Sequence, residues 1–340
     1  MHRVLLAAAI LVAAFPVSAR EKTDVVVLKN GDHLTGEIKG MERGKLDFNT
    51  DDVGRISIEW DKVVELTTTH QYSAELRSGE RLFGALSSPA SGKLAVGVLP
   101  VQRTIPVTDV VELVSMDESF LNRLRVIFDL GFTFAKSNYA STLSTSGEFG
   151  YRAESLGAKL TFDGYFQDDA NNVAVSRASA GLQGDWYFLN RWSALVVVQG
   201  EHNDELQLTF RTTVAPGVAH SVVRNGWTEL WLTGGLAGSK AAYVNTDPSY
   251  ALDALIGASW DAFRYDTPKL DMNTTLVLLP GLSDFGRLRG TFTVKVKYEI
   301  FKDFNVGISF SDTFDTRPPD PNAPKNDFIT SLTIGWSYRR

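Results

Sequence analysis

Cysteine is absent from the 340 residues. That excludes a disulfide framework, a thiolate metal site, a cysteine nucleophile and an acylated lipoprotein anchor. Histidine is scarce, with five in the chain. His2, His33, His70, His202 and His220 show no paired metal-ligand spacing. Clustered basic residues are missing and the net charge is -6, so no nucleic-acid footprint is present. The sequence contains neither a Gly-x-Ser-x-Gly elbow nor a phosphate-cradling glycine loop. His220 and Ser221 are adjacent, and neighbours on a strand point to opposite faces. The expectation is a protein that is not an enzyme and needs no cofactor or metal. Beyond Ala19 there is also no apolar run long enough for a transmembrane helix.

What is present begins with an export signal. Arg3 supplies a positive start, Val4 to Phe15 are apolar throughout, and Val17-Ser18-Ala19 is a small-residue cleavage site. Residues 1–19 are expected to be a Sec-type signal peptide. Such a chain is periplasmic, secreted, or a β-barrel in the outer membrane.

Residues 22–116 carry an internal repeat. Leu28-Lys29-Asn30-Gly31-Asp32-His33-Leu34-Thr35-Gly36 recurs as Leu76-Arg77-Ser78-Gly79-Glu80-Arg81-Leu82-Phe83-Gly84, and Lys45-Leu46 as Lys93-Leu94. Val64-Glu65-Leu66 recurs as Val111-Glu112-Leu113. A fixed offset of this kind marks a duplicated supersecondary unit, here over 24–68 and 72–115. Asn30-Gly31 and Ser78-Gly79 read as hairpin turns. Gly36 and Gly84 fall inside strands, where glycine permits a sharp bend. Four or five bent strands per unit suggest a small SH3/Sm-like β domain; a single meander built from both copies is the other reading.

From residue 119 to 340 turn residues arrive regularly and period-2 alternation dominates. In Leu288 to Ile300, Phe292, Val294, Val296, Tyr298 and Ile300 share one face, and Arg289, Thr291, Thr293, Lys295, Lys297 and Glu299 the other. Val126 to Phe134, Leu156 to Asp163 and Phe304 to Ser311 repeat the pattern. The expectation is all-β: a transmembrane antiparallel barrel of twelve strands preceded by the duplicated domain. Three features favour a membrane over a soluble sandwich. The polar face is rich in small residues and charges of both signs. Short turns, as at Leu189-Asn190-Arg191 and Arg224-Asn225-Gly226, alternate with longer loops, expected at 167–172, 240–249, 280–286 and 315–326. Aromatics flank the turns, among them Trp186, Tyr187, Phe188, Trp192, Phe263 and Tyr265. An even strand number leaves both barrel ends, and the N-terminal domain, on the periplasmic side.

The segments Val26 to Gly36, Ile58 to Leu66 and Ser331-Leu332-Thr333-Ile334-Gly335-Trp336 together resemble the YdiY-like, salt-induced outer-membrane protein family, a domain-of-unknown-function family. The resemblance implies an outer-membrane barrel and a link to salt or osmotic response. It brings no substrate, cofactor or catalytic residue. Arg339-Arg340 depart from the terminal aromatic that usually ends such barrels.

The candidate functional residues are lumen-facing charges: Lys159, Asp163, Arg177, Asp185, Arg211, Glu229, Asp253, Arg289, Lys295, Lys297 and Glu299. They either set the electrostatics of a pore or pair to fill a narrow interior. Asp312, Asp315, Asp320 and Asp327 around the Pro-rich loop are solvated acids or oxygen ligands for calcium. Expected partners are outer-membrane lipid, the outer-membrane assembly machinery, and either peptidoglycan or a periplasmic protein. Two functions stay open: a narrow pore with a periplasmic regulatory or docking domain, or a non-conducting envelope anchor.

Overall fold

The computed structural model describes residues 22–336, apart from 99–100, 117–123, 136–139, 154, 170–171, 205–206, 245–246, 267, 302–303 and 319–324. The expected signal peptide, Asp320 and Arg339-Arg340 lie outside the described residues. All 22 strands pair antiparallel, in one sheet of 10 and one of 12, and the only helical pieces among the described residues are two short 3-10 turns.

The N-terminal sheet is two copies of one unit. The first copy has β1 (Asp24–Leu28), β2 (His33–Glu42), β3 (Lys45–Asn49), β4 (Arg55–Glu59), a 3-10 turn at Trp60–Lys62 and β5 (Val63–Thr67). The second has β6 (Tyr72–Leu76), β7 (Arg81–Ser87), β8 (Lys93–Val98), β9 (Val101–Pro106), a 3-10 turn at Val107–Asp109 and β10 (Val110–Ser115). In each copy the first strand pairs with the second and the fifth, and the third bridges the second and fourth. The copies join where β10 meets β2. Their seam is held by equivalent positions. Asp24, fully buried, accepts hydrogen bonds from the Tyr72 hydroxyl at 3.0 Å and the Ile38 N–H at 2.9 Å. Trp60 in one 3-10 turn donates to the Val107 carbonyl in the other at 3.0 Å. Val26, Ile38, Phe48, Leu66, Leu86 and Leu113 fill a shared core.

The second sheet runs β11 (Leu124–Ala135), β12 (Ala140–Arg152), β13 (Leu156–Asp169), β14 (Asn172–Leu189), β15 (Trp192–Asn203), β16 (Leu208–Arg224), β17 (Thr228–Tyr243), β18 (Ser249–Arg264), β19 (Leu270–Pro280), β20 (Leu288–Phe301), β21 (Phe304–Asp315) and β22 (Asn326–Trp336). Each strand pairs with its sequence neighbour, so β11 and β22 are the edges, and no pairing between these two is found among the described residues. Residues paired across a ladder share a face, and the register carries one face across the sheet. Val126, Phe128 and Leu130 of β11, Leu160 of β13, Leu182 of β14, Val198 of β15, Leu232 of β17, Ile256 of β18, Ile308 of β21 and Leu332 and Ile334 of β22 are exposed on that face. Leu332 is 67% exposed and Ile334 69%. The other face carries Ser, Thr, Gly and charges, such as the row Glu229, Asp261, Asn273, Lys295, Ser309 and Ser331.

The short expected turns all lie at one end of this sheet. One expected loop is mostly strand: β13 continues to Asp169 and β14 begins at Asn172, because polar Gln167 and Asp168 extend the ladder as readily as they would solvate a loop. The longer connections follow β17, β19 and β21.

Gly84 has φ of 142°, and a Cβ there would lie 2.4 Å from Gly97. The bend of β7 over β8 therefore needs glycine. Gly84→Val is expected to destabilise the N-terminal sheet by about 1–3 kcal/mol or more, read as a lower midpoint in denaturant unfolding of the full chain.

Candidate functional site

The N-terminal sheet sits on the turn end of the twelve-stranded sheet. Its contacts are with the short turns and with residues of the polar face, where side chains converge from both units.

The centre of this contact is Arg224, at the end of β16. Its guanidinium reaches Glu75 at 3.1 Å, Glu112 at 3.3 Å and Glu229 at 3.3 Å. Arg152, at the end of β12, reaches Glu112 at 3.1 Å and lies over the Tyr187 ring at 3.7 Å. Arg81 completes the group, 3.1 Å from Glu75. Three carboxylates thus meet three guanidiniums, and Glu75, Glu112 and Glu229 are all buried. Burial alone would raise the Glu112 carboxyl, but Arg224 and Arg152 overcome it and hold it at about 2.

A second contact has the opposite polarity. Arg43, in the β2–β3 turn, is 2.9 Å from Asp271 and 3.5 Å from Asp261. Its guanidinium also lies 5.0 Å over the Phe263 ring. Tyr265 donates to the Arg43 carbonyl at 2.9 Å, and Lys45 lies 3.8 Å over the Tyr265 ring. Burial pushes the Tyr265 hydroxyl up to about 12, so it stays a neutral donor. Lys62 reaches Asp266 at 2.9 Å. The N-terminal sheet therefore presents acids to the basic sector at β12–β16 and bases to the acidic sector at β17–β19. This complementarity admits one docking orientation.

Two turns make the closest backbone approaches. A Cβ on Gly44 (φ 67°) would lie 2.7 Å from the Gly226 carbonyl, and one on Gly79 (φ 81°) would lie 2.8 Å from the Arg191 backbone nitrogen. Arg191 also donates to the Arg77 carbonyl.

Phe263, expected in an interfacial aromatic belt, is instead on the polar face and 2% exposed. Odd positions of β18 point that way, and Arg43 covers the ring. Tyr187 likewise lies beneath Arg152, whereas Trp186, Phe188 and Trp192 are on the exposed apolar face.

The eleven charges expected on one face share the polar face, but they fall into separate groups. Glu229 belongs to the Arg224 cluster. Near the loop end, Arg289 pairs with buried Asp253 and reaches Ser239 at 3.2 Å, while Arg211 reaches Glu201 and Tyr243, each at 2.7 Å. Glu299, 1% exposed, meets Lys269 at 3.4 Å. Asp163 accepts from Ser179 at 3.2 Å and Asp185 from Gln183 at 2.9 Å. Lys295 and Lys297 stand exposed at mid-sheet, Lys159 half-buried. Arg177 lies opposite Tyr165 and Asn203. The polar face thus carries exposed charges in the middle and paired charges towards both ends. Among the described residues no cluster of three metal-ligating side chains occurs. Asp315 pairs with Arg287 at 2.6 Å, which makes it a strut of the loop end.

Sequence reasoning missed Glu75, Glu112, Arg152, Arg224 and Arg43. A signal was present: Arg152, Arg191, Arg224 and Arg264 each stand at a short turn.

The fold and site define an all-β protein whose larger sheet segregates apolar from polar residues and whose turn end is covered by a duplicated small β unit. The family model described as "Protein of unknown function, DUF481" matches residues 128–338, more than half of the chain, and the protein belongs to that family. No curated protein matches the chain, and no solved structure does.

Removing one partner from a buried ion cluster costs about 3–5 kcal/mol, because the remaining charge is stranded. Arg224→Leu should undock the N-terminal sheet, seen as faster hydrogen exchange at buried Gly79. The pH dependence follows from Glu112. Its carboxyl is depressed when docked, so its contribution is complete above the ordinary carboxylate range and disappears as the pH falls towards about 2. The exchange protection should therefore be complete at neutral pH, weaken as the pH falls through the carboxylate range, and vanish near pH 2.

Proposed function

We propose that β11–β22 close through β11 and β22 into an outer-membrane barrel, and that the N-terminal sheet is a periplasmic cap over its turn-side mouth. The protein is then a narrow conduit of the cell envelope, not an enzyme. The observation that carries this reading is the band of exposed or half-buried apolar residues that runs across the middle of all twelve strands, with the charges of that face, such as Lys240 and Asp312, kept towards the strand ends. Lipid requires such a face, and it also requires a sheet without free edges. The export signal of residues 1–19 and the turn-side aromatics Trp186 and Trp192 agree with it. Each N-terminal unit is read as a strongly bent five-stranded barrel of the SH3/Sm kind.

The cap supplies regulation in this reading. Its buried Arg224 cluster holds it in place, while exposed pairs such as Lys62–Asp266 weaken as ions screen them. A salt- or osmotic-response role fits that arrangement. One observation favours the alternative of a non-conducting envelope anchor that binds peptidoglycan or a periplasmic partner: the pairs Arg289–Asp253 and Arg211–Glu201 narrow the loop end.

Planar-bilayer conductance separates the two. The full-length protein should give small currents, and Arg224→Leu should raise them several-fold by releasing the cap. Absence of current from both proteins at every salt concentration would reject the conduit and leave the anchor.

A further inference from the structure

We infer that a recess on the polar face around Gly181 is a binding site for an uncharged polyhydroxylated solute, a sugar or polyol. The recess lies at mid-length of β13, β14 and β15, away from the docking cluster. It has a volume of about 180 Å³, room for about six waters. It exists because Gly181 has no side chain, while the flanking rungs carry long polar ones. Lys159 pairs across the ladder with Gln183, and Thr161 with Gly181, which in turn faces Gln199.

The hydrogen-bonding character of the lining selects the ligand. Ser179 spends its hydroxyl proton on Asp163 at 3.2 Å, leaving its oxygen as an acceptor. Gln183 points one amide N–H at both oxygens of Asp185, at 2.9 Å and 3.1 Å, leaving its carbonyl and its second N–H. The Ser179 oxygen therefore accepts, the Lys159 ammonium donates, and the Gln183 amide, the Thr161 hydroxyl and the Gln199 amide do both. A solute that satisfies this set must offer donors and acceptors at close spacing, as vicinal hydroxyls do. An inorganic anion offers acceptors only and would leave the Ser179 oxygen and the Gln183 carbonyl without a donor. Asp163 and Asp185, on the rungs either side, also outnumber Lys159, so the local field does not favour an anion. An apolar solute would strand every group named. Half-buried Thr161 and exposed Gln199 leave the recess open to water, so a dissolved solute reaches it without local unfolding.

The site draws its physiological meaning from the conduit reading, but its occupancy does not require conduction. The test is therefore equilibrium binding of glucose to the full-length protein, purified in a detergent without a sugar headgroup, by saturation-transfer NMR and calorimetry. Glucose should bind and sodium phosphate should not. Gly181→Leu, which fills the recess, should abolish binding. Thr161→Val, a milder change at nearly constant volume, should weaken it about tenfold, the value of roughly one hydrogen bond. Each variant must retain the wild-type strand signature in circular dichroism. Glucose binding that both variants leave unchanged, no glucose binding to the wild type, or phosphate binding in its place would overturn the site. Parallel conductance measurements keep the two readings apart: sugar binding without current rejects the conduit alone, and current without sugar binding rejects the recess alone.

Discussion

A β-strand has two faces, and a ladder in continuous register keeps them apart over its whole width. That constraint governs the larger part of this protein. One residue of slip would move every apolar side chain of a strand to the polar side. The register is irregular only near strand ends, as at Gln167/Asp169, Glu201/Asn203, Ser221/Val223 and Glu299/Phe301. The centre of the sheet is uninterrupted, so Phe128, Leu160, Leu232 and Leu332 stay on one side while Asp163, Asn273 and Lys295 stay on the other. In a soluble fold so broad an apolar surface would be a liability. Against lipid it is the requirement.

The second organising interaction is the cluster around Arg224. Burying a guanidinium is costly unless carboxylates surround it, and no one sheet supplies all of them. Glu229 comes from the twelve-stranded sheet, Glu75 and Glu112 from the N-terminal one. Neither sheet satisfies its own buried charges alone, so the cluster acts as an assembly condition. Around it, Arg43, Tyr265 and Lys62 add contacts of opposite polarity, which fix the orientation of one sheet on the other.

Much of this was legible from the sequence, for physical reasons. Period-2 alternation in Leu288 to Ile300 reports directly which face each side chain takes, because strand geometry leaves no other choice. Asn30-Gly31 and Ser78-Gly79 mark tight turns because positive φ favours glycine, and Gly31 and Gly79 do have φ of 90° and 81°. The duplication announced itself as a fixed offset, and its strands follow that offset closely. What was illegible depends on distance in the chain. Phe263 and Tyr187 look like belt aromatics by position, and only the docked sheet makes them contact residues. Glu65 and Glu112 occupy equivalent places in the repeat, yet only Glu112 meets an arginine, because only one face of the duplicated unit turns towards the twelve-stranded sheet. The partners Arg152 and Arg224 lie 40 and 112 residues from Glu112, beyond the reach of any local pattern.

In the proposed barrel the even positions of a strand such as β20 face lipid and the odd positions face water. The chain has no cysteine, so a single introduced one can carry a spin label at each position from Leu288 to Phe301 in turn. In outer-membrane lipid, collision with oxygen should peak at Phe292, Val294, Val296 and Tyr298. Collision with a water-soluble nickel complex should peak at Thr291, Thr293, Lys295 and Lys297. Alternation of the two probes in opposite phase is the predicted result. Equal access of the nickel complex to both sets would contradict a membrane-spanning sheet.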